Sequence, residues 1–140
     1  MAYSRTIPVE FNHCDPAGIV FYPRYFEMTN SVVETFFAER LGYSFARITL
    51  DEGCGVPTAR LEVDFKAPSR LGERLDFQLR VVRVGAKSVT LTLAAFGGGA
   101  LRMTARLVLV WVGTDGRAAA WPEPLRAGLI GNLSEEGPTR

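Results

Sequence analysis

One set of positions near the start of the chain, Tyr3, Arg5, Ile7, Val9 and Phe11, takes turns with Ser4, Thr6, Pro8, Glu10 and Asn12. A period of two predicts a half-buried strand. Pro8 has no N–H to give a ladder, which predicts that this strand lies at a sheet edge. From Pro23 to Leu41 the period lengthens. Phe26, Val33, Phe36, Phe37 and Leu41 form a helical stripe led in by Tyr22 and Tyr25. Pro23 suits the start of a helix, and Gly42 suits its end. Tyr43 to Gly55 reads as a connection with at most one helical turn, long enough to cover a pocket mouth.

Four strands follow with no long helix between them. Leu61, Val63 and Phe65 alternate with charged residues; so do Leu75, Phe77, Leu79 and Val81 with polar ones, and Val89, Leu91 and Leu93 with threonines. The last run, Met103 to Val112, is apolar on both faces towards its end, which calls for cover on its second face. The turns at Val84-Gly85-Ala86-Lys87 and Gly97-Gly98-Gly99 favour antiparallel hairpins. Pro122 to Leu133 predicts a short closing helix through Leu125, Leu129, Ile130 and Leu133. The order predicts an α+β fold, a curved antiparallel β-sheet wrapped around one long apolar helix. Residues 1–133 are expected to form a single domain and 134–140 a frayed polar tail.

Composition narrows the function classes. The chain has 140 residues, 47% of them hydrophobic, and a formal net charge of +1. Such a charge argues against non-specific nucleic-acid binding. No apolar run reaches the ~18 residues that span a bilayer, and no apolar signal segment opens the chain, so no membrane partner and a cytoplasmic location are expected. Cys14 and Cys54 have no zinc-ligand spacing and the chain has one histidine, so no metal is expected. Both cysteines read as reduced thiols.

The chemistry gathers in Phe11-Asn12-His13-Cys14-Asp15-Pro16-Ala17-Gly18-Ile19-Val20-Phe21-Tyr22-Pro23. Here the first strand ends, Pro16 and Gly18 turn the chain, and the helix begins. A carboxylate therefore stands near a helix N-terminus, whose free N–H groups attract developing negative charge. In general an aspartate at a loop entrance is a turn former. The run Asp15 to Pro23, however, resembles the signature loop of the 4-hydroxybenzoyl-CoA thioesterase family, whose members have the hot-dog fold.

The resemblance implies an acyl-CoA thioesterase with Asp15 as nucleophile or general base. Backbone N–H groups around Tyr22 would polarise the carbonyl, and Gly18 would let the backbone turn or approach the ligand closely. An extended strand would point His13 to the same face as Asp15, where it would tune Asp15 or touch substrate. Phe21, Tyr22, Tyr25 and Phe26 offer an aromatic lining, which with the family resemblance favours aromatic (benzoyl or hydroxybenzoyl type) or small branched acyl groups over long fatty chains. Asn30, or Thr29 beside it, is placed to meet the distal polar group of the acyl moiety.

For the nucleotide end of coenzyme A, the resemblance points to the hairpin with Arg83, Lys87 and Ser88. Lys66, Arg70 and Arg74 form a second basic cluster. No cofactor is implied, coenzyme A being part of the substrate. A homodimer or homotetramer is expected, because one helix leaves a sheet face and an edge strand unprotected. Two alternatives stand beside this reading. A hot-dog dehydratase or hydratase would pair the aspartate with a histidine following it, whereas His13 precedes Asp15. A non-catalytic acyl-CoA-binding protein would share the fold without the chemistry.

Overall fold

Helix α1, Tyr22–Glu39, has more apolar surface than one side of a helix can leave in water, and the sheet is built to cover it. The computed structural model describes residues 2–134. Strands β1 (Tyr3–Pro8), β2 (Thr58–Phe65), β3 (Arg74–Val84), β4 (Ser88–Gly97) and β5 (Ala100–Val110) pair antiparallel in the order β1-β3-β4-β5-β2. A short helix, α2, spans Glu123–Gly131. The expected curved antiparallel sheet around one long helix, the hot-dog fold, is what forms.

The core lies between α1 and the facing side of the sheet. Met28, Val32, Val33, Phe36 and Phe37 are buried on the helix, against Leu75, Phe77 and Leu79 of β3, Leu91 and Leu93 of β4 and Met103 of β5. Phe37, fully buried, meets Phe36 and Phe45 edge-on with ring centroids 6.0 and 5.3 Å apart. Strand β4 is central, and most of its residues are buried on both faces. Pro8 does lie on an edge strand, at the end of β1 opposite Arg74. The other edge, β2, leaves Leu61 and Phe65 exposed.

The elements depart from the sequence pattern in three places. Strand β1 stops at Pro8, and Phe11–His13 forms a 3-10 turn. The Val9 N–H leaves the ladder for the Glu73 carbonyl at 2.7 Å, and the Glu10 N–H is taken by Nδ1 of His13 at 2.9 Å. Phe11 consequently points into solvent instead of following the alternation inward.

The connection after α1 is more helical than expected, with a π-helical segment at Arg47–Asp51 closed by Glu52 N–H to Arg47 carbonyl at 3.0 Å. Buried Ile48 anchors it, and Arg47 stacks on Tyr43 while pairing with Glu52. In α2, Leu125 and Leu129 are buried but Ile130 is exposed, as is Leu133 beyond it. The Ser134 N–H is held by the Val81 carbonyl at 2.8 Å, and the rest of the expected tail lies outside the described residues.

Phe37→Ala should destabilise the fold by about 3–5 kcal/mol, the range for emptying a buried aromatic site. Urea unfolding checks it; a loss under ~1 kcal/mol would mean that the aromatic cluster collapses to fill the space.

Candidate active site

The signature loop is a small hairpin tied to the start of α1. Cys14 and Val20 face each other in an antiparallel bridge. Next to it the Asp15 N–H donates to the Ile19 carbonyl and the Gly18 N–H to the Asp15 carbonyl, both at 3.0 Å. Gly18 has φ +78°, which an L side chain adopts poorly, so glycine closes this turn at no steric cost. The Asp15 carboxylate is half-buried, and Oδ1 accepts the Ala17 N–H at 2.9 Å. Turn-forming and chemistry are thus not exclusive for Asp15: one oxygen orients the group and the other is left available.

On the far side of the hairpin the Phe21 N–H goes to the His13 carbonyl at 3.0 Å, and α1 starts at Tyr22. The Arg24 N–H turns back to the Phe21 carbonyl at 2.8 Å, and Pro23 has no N–H. The Tyr22 N–H meets no acceptor among the described residues. It is the donor that the helix start leaves free, at the positive end of the helix dipole.

His13 belongs to the 3-10 turn rather than to an extended strand, so the shared-face argument for His13 and Asp15 does not apply. With Nδ1 accepting from Glu10, a neutral His13 ring carries its proton on Nε2. It borders a cleft between β1 and α1 with Arg5, Glu10, Glu27 and Ser31.

A different cleft, about 180 Å³ in volume, lies between α1, the 43–56 connection and strands β2 and β5. Phe26, Val33, Phe45, Leu61 and Leu107 give it apolar walls, and Thr29, Asn30 and Thr58 add polar atoms. Thr29 is 3% exposed, and its Oγ1 has no hydrogen-bond partner. Phe26 meets Tyr22 edge-on at 6.2 Å, which joins this cleft to the helix N-terminus by one helical turn. Phe21 packs edge-on against Tyr22 at 5.6 Å. Tyr25 faces inward, buried, its hydroxyl donating to Ser69 Oγ at 2.9 Å.

Lys87 and Ser88 sit at the β3–β4 turn. The Trp111 N–H donates to the Lys87 carbonyl at 2.9 Å and the Trp121 indole N–H to the Ser88 carbonyl at 3.1 Å, so the turn backbone is pinned while the Lys87 side chain is exposed. Arg83 stands apart from the tip, beside Arg60, Thr90 and Arg106 on the sheet face away from α1. Among the described residues no group of three or more His, Cys, Asp and Glu side chains is placed to hold a metal ion. No helix among them is long and apolar enough to cross a membrane.

A model of the thioesterase-like superfamily matches residues 9–129. The chain belongs to the thioesterase-like superfamily. Membership makes this protein a thioester hydrolase.

Solved thioesterases share the fold. One is the gentisyl-coenzyme A thioesterase BH1999, 24% identical, with a TM-score of 0.81 over 91% of this chain and 99% of that one. Another is Slr0204 from Synechocystis, a 1,4-dihydroxy-2-naphthoyl-CoA thioesterase, 19% identical, with a TM-score of 0.85 over 93% and 96%. The SAV2348 protein from Staphylococcus aureus, solved in complex with CoA, is 17% identical with a TM-score of 0.89 over 99% and 90%. No curated protein sequence matches the chain.

Sequence reasoning missed the buried polar cluster behind this thioesterase's signature loop. The charges of Lys66, Arg70 and Arg74 are exposed, as in a surface basic cluster, but Ser69 among them is fully buried. Arg102 pairs with Glu73 through two parallel hydrogen bonds of 2.9 and 3.0 Å. The Arg102 guanidinium, followed by the Arg70 N–H, lowers the Glu73 pKa from 4.5 to about 2. An arginine shortly after a triple glycine, two residues into an apolar strand, was the available signal.

A carboxylate with a depressed folded-state pKa stabilises above its unfolded pKa, and that contribution is lost as pH falls through the folded value. The stability advantage of the parent over Glu73→Gln should therefore be full above roughly pH 5 and shrink steadily towards about pH 2. Denaturant midpoints of both proteins across this range test it; a constant difference would show that the pair does not set the carboxyl pKa.

Proposed function

We propose that this thioesterase hydrolyses a short or aromatic acyl-CoA whose acyl group carries a polar substituent, with Asp15 as nucleophile or general base. The observation that carries the reading is one face of α1. Phe26, Thr29 and Val33 line the cleft at helical spacing, with the unpartnered Thr29 hydroxyl among them, and Tyr22 continues that face one turn before Phe26 to the helix start, where its N–H is free. A thioester carbonyl at the helix start puts its acyl group over Phe26 and its far end at Thr29 and Asn30. A buried hydroxyl left without a partner costs about 1–3 kcal/mol, which a substrate hydroxyl or carbonyl would recover. The gentisyl- and dihydroxynaphthoyl-CoA thioesterases that share the fold act, by name, on hydroxylated aromatic acyl groups.

In the general-base form Asp15 takes a proton from water as the water oxygen bonds to the carbonyl carbon. The Tyr22 N–H and the helix dipole hold the resulting oxyanion. The C–S bond then breaks, and the CoA thiolate leaves and takes up a proton. In the nucleophilic form Asp15 itself bonds to that carbon, expels the thiolate, and water hydrolyses the mixed anhydride. Both forms need the ionised carboxylate and no cofactor. Gly18 serves the turn. Phe21 and Tyr25 flank and support this region, and His13 contributes through the loop backbone. Lys87 and Ser88 at the tip are the proposed contacts for the CoA phosphates, and Arg83, apart from the tip, is not grouped with them.

The unpaired β2 edge, with exposed Leu61 and Phe65 beside exposed Phe21 and Tyr22, suits a second copy of the chain. We expect a homodimer or homotetramer, with a sedimentation mass of at least twice 15.4 kDa at micromolar concentration.

Asp15→Asn should lower kcat on acyl-CoA esters by ~100-fold or more, the scale of general-base assistance, with KM little changed. Free thiol release checks it, and parental activity in the folded variant would sink the mechanism. Thr29→Val keeps shape and removes the hydroxyl. Its kcat/KM ratio for hydroxybenzoyl- over benzoyl-CoA should fall by roughly 10-fold, the worth of one hydrogen bond; an unchanged ratio would assign the polar group to another residue. Lys87→Ala should raise KM for CoA esters and leave kcat nearly alone, with less effect on pantetheine esters.

A further inference from the structure

We infer that Arg102, which lies on β5 outside the signature loop, is a positioning residue that fixes the Asp15 hairpin through the 66–73 loop. The inference rests on the proposed role of Asp15.

The Arg102 guanidinium is nearly buried, and both terminal nitrogens are engaged. Its Nη1 donates to the Pro68 carbonyl at 2.9 Å, to Ser69 Oγ at 3.3 Å and to Glu73 Oε1 at 2.9 Å. Its Nη2 donates to Glu73 Oε2 and to the Gly97 carbonyl, each at 3.0 Å. Both ends of the 68–73 loop are thereby clamped to one planar group. Gly97 is part of the clamp, because a Cβ there would stand 2.8 Å from Arg102 Cζ and 2.9 Å from Nη2. A guanidinium held by five acceptors cannot swing aside as a free arginine tip would.

The clamped loop in turn holds the signature loop on both sides. On the exit side the Val20 N–H donates to the Ser69 carbonyl at 2.9 Å, the Leu71 N–H to the Gly18 carbonyl at 2.9 Å, and Ile19 bridges Arg70. On the entry side the Val9 N–H donates to the Glu73 carbonyl at 2.7 Å and the Gly72 N–H to the Val9 carbonyl at 3.0 Å. The first turn of α1 is tied in as well, through the Tyr25 hydroxyl on Ser69 Oγ. Asp15 and the Tyr22 N–H are therefore set relative to each other by backbone bonds to a segment whose own shape depends on Arg102. Arginine is required because lysine cannot span Glu73, Pro68 and Gly97 together.

The test uses the full-length protein with Arg102→Lys, Arg102→Ala and Gly97→Ala, assayed on an active acyl-CoA ester. A misplacement of ~1 Å at a reacting group costs up to ~100-fold, so kcat should fall by roughly 10- to 100-fold while KM stays within about 2-fold. Amide exchange at Val20 and Leu71 should speed up, with core strand amides such as Leu93 unchanged. Guanidinium ion at millimolar concentration should restore kcat to Arg102→Ala, and sodium at equal ionic strength should not. Parental kcat in any folded Arg102 variant, unaltered exchange at Val20 and Leu71, or acceleration spread over the core strands overturns the inference. Asp15→Asn, run alongside with Arg102 intact, separates the two readings. Parental kcat there removes Asp15 from the chemistry, whereas the exchange result in the Arg102 variants still reports on the clamp.

Discussion

Everything in this molecule depends on burying one face of α1. Eighteen residues of helix carry seven buried side chains, among them Tyr25, Phe36 and Phe37. The inward positions of β1, β3, β4 and β5 cover them, and that requirement sets the chain path. The strand before the helix and the long hairpins after it must meet at one sheet, so β1 and β2 end up at opposite edges. The helix start is then left where the first strand ends. The turn that carries Asp15 is joined to the helix start by the Phe21 N–H on the His13 carbonyl.

A second constraint is electrostatic. The sheet that covers α1 is largely apolar, and near the start of β5 a charged guanidinium is almost buried. Charges taken from water are tolerated only when paired and hydrogen-bonded in full, and removing one partner costs more than the pair contributes. Arg102 and Glu73 meet that condition with each other and with two carbonyls and a serine. Such a cluster contributes little net stability compared with apolar packing of the same volume. What it adds is direction, since a planar fork admits one geometry where a hydrocarbon contact admits many.

Most of the architecture was legible because it is written in period. The switch from two to 3.6 at Pro23, the punctuating glycines and the proline in β1 each carry a local steric reason that tertiary structure has no cause to override. The elements that escaped are those decided by distant partners. Nothing in Glu10-Phe11-Asn12-His13 announces that the ladder ends, because the Val9 N–H is claimed by Glu73, some sixty positions away. The helical content of residues 45–51 follows from burying Ile48 and stacking Arg47 on Tyr43, not from a strong propensity. The turn of the signature loop was readable from its proline and glycine, whereas the residues that shape it from behind were not. Ser69 and Glu73 look like surface residues until Arg102, on another strand, is known to face them.

Helix α1 also acts as a measure. Tyr22 and Thr29 lie on nearly the same side of it, separated by about 10 Å of helical rise. Each leaves a polar group unpaired, one at the exposed helix start and one buried beneath Phe26. Folding alone gives no reason to keep either. An amide at the helix start can be capped by a side chain, and a threonine in an apolar wall can be replaced by valine with better packing and no unpaired hydroxyl. On the proposed reading, two unmet hydrogen-bonding groups at a fixed spacing with an aromatic wall between them suit a ligand that is polar at both ends and flat in the middle. On that reading, the same helix that carries the core face also sets the length of what the cleft would hold, with Phe45 and Val56 on the far wall.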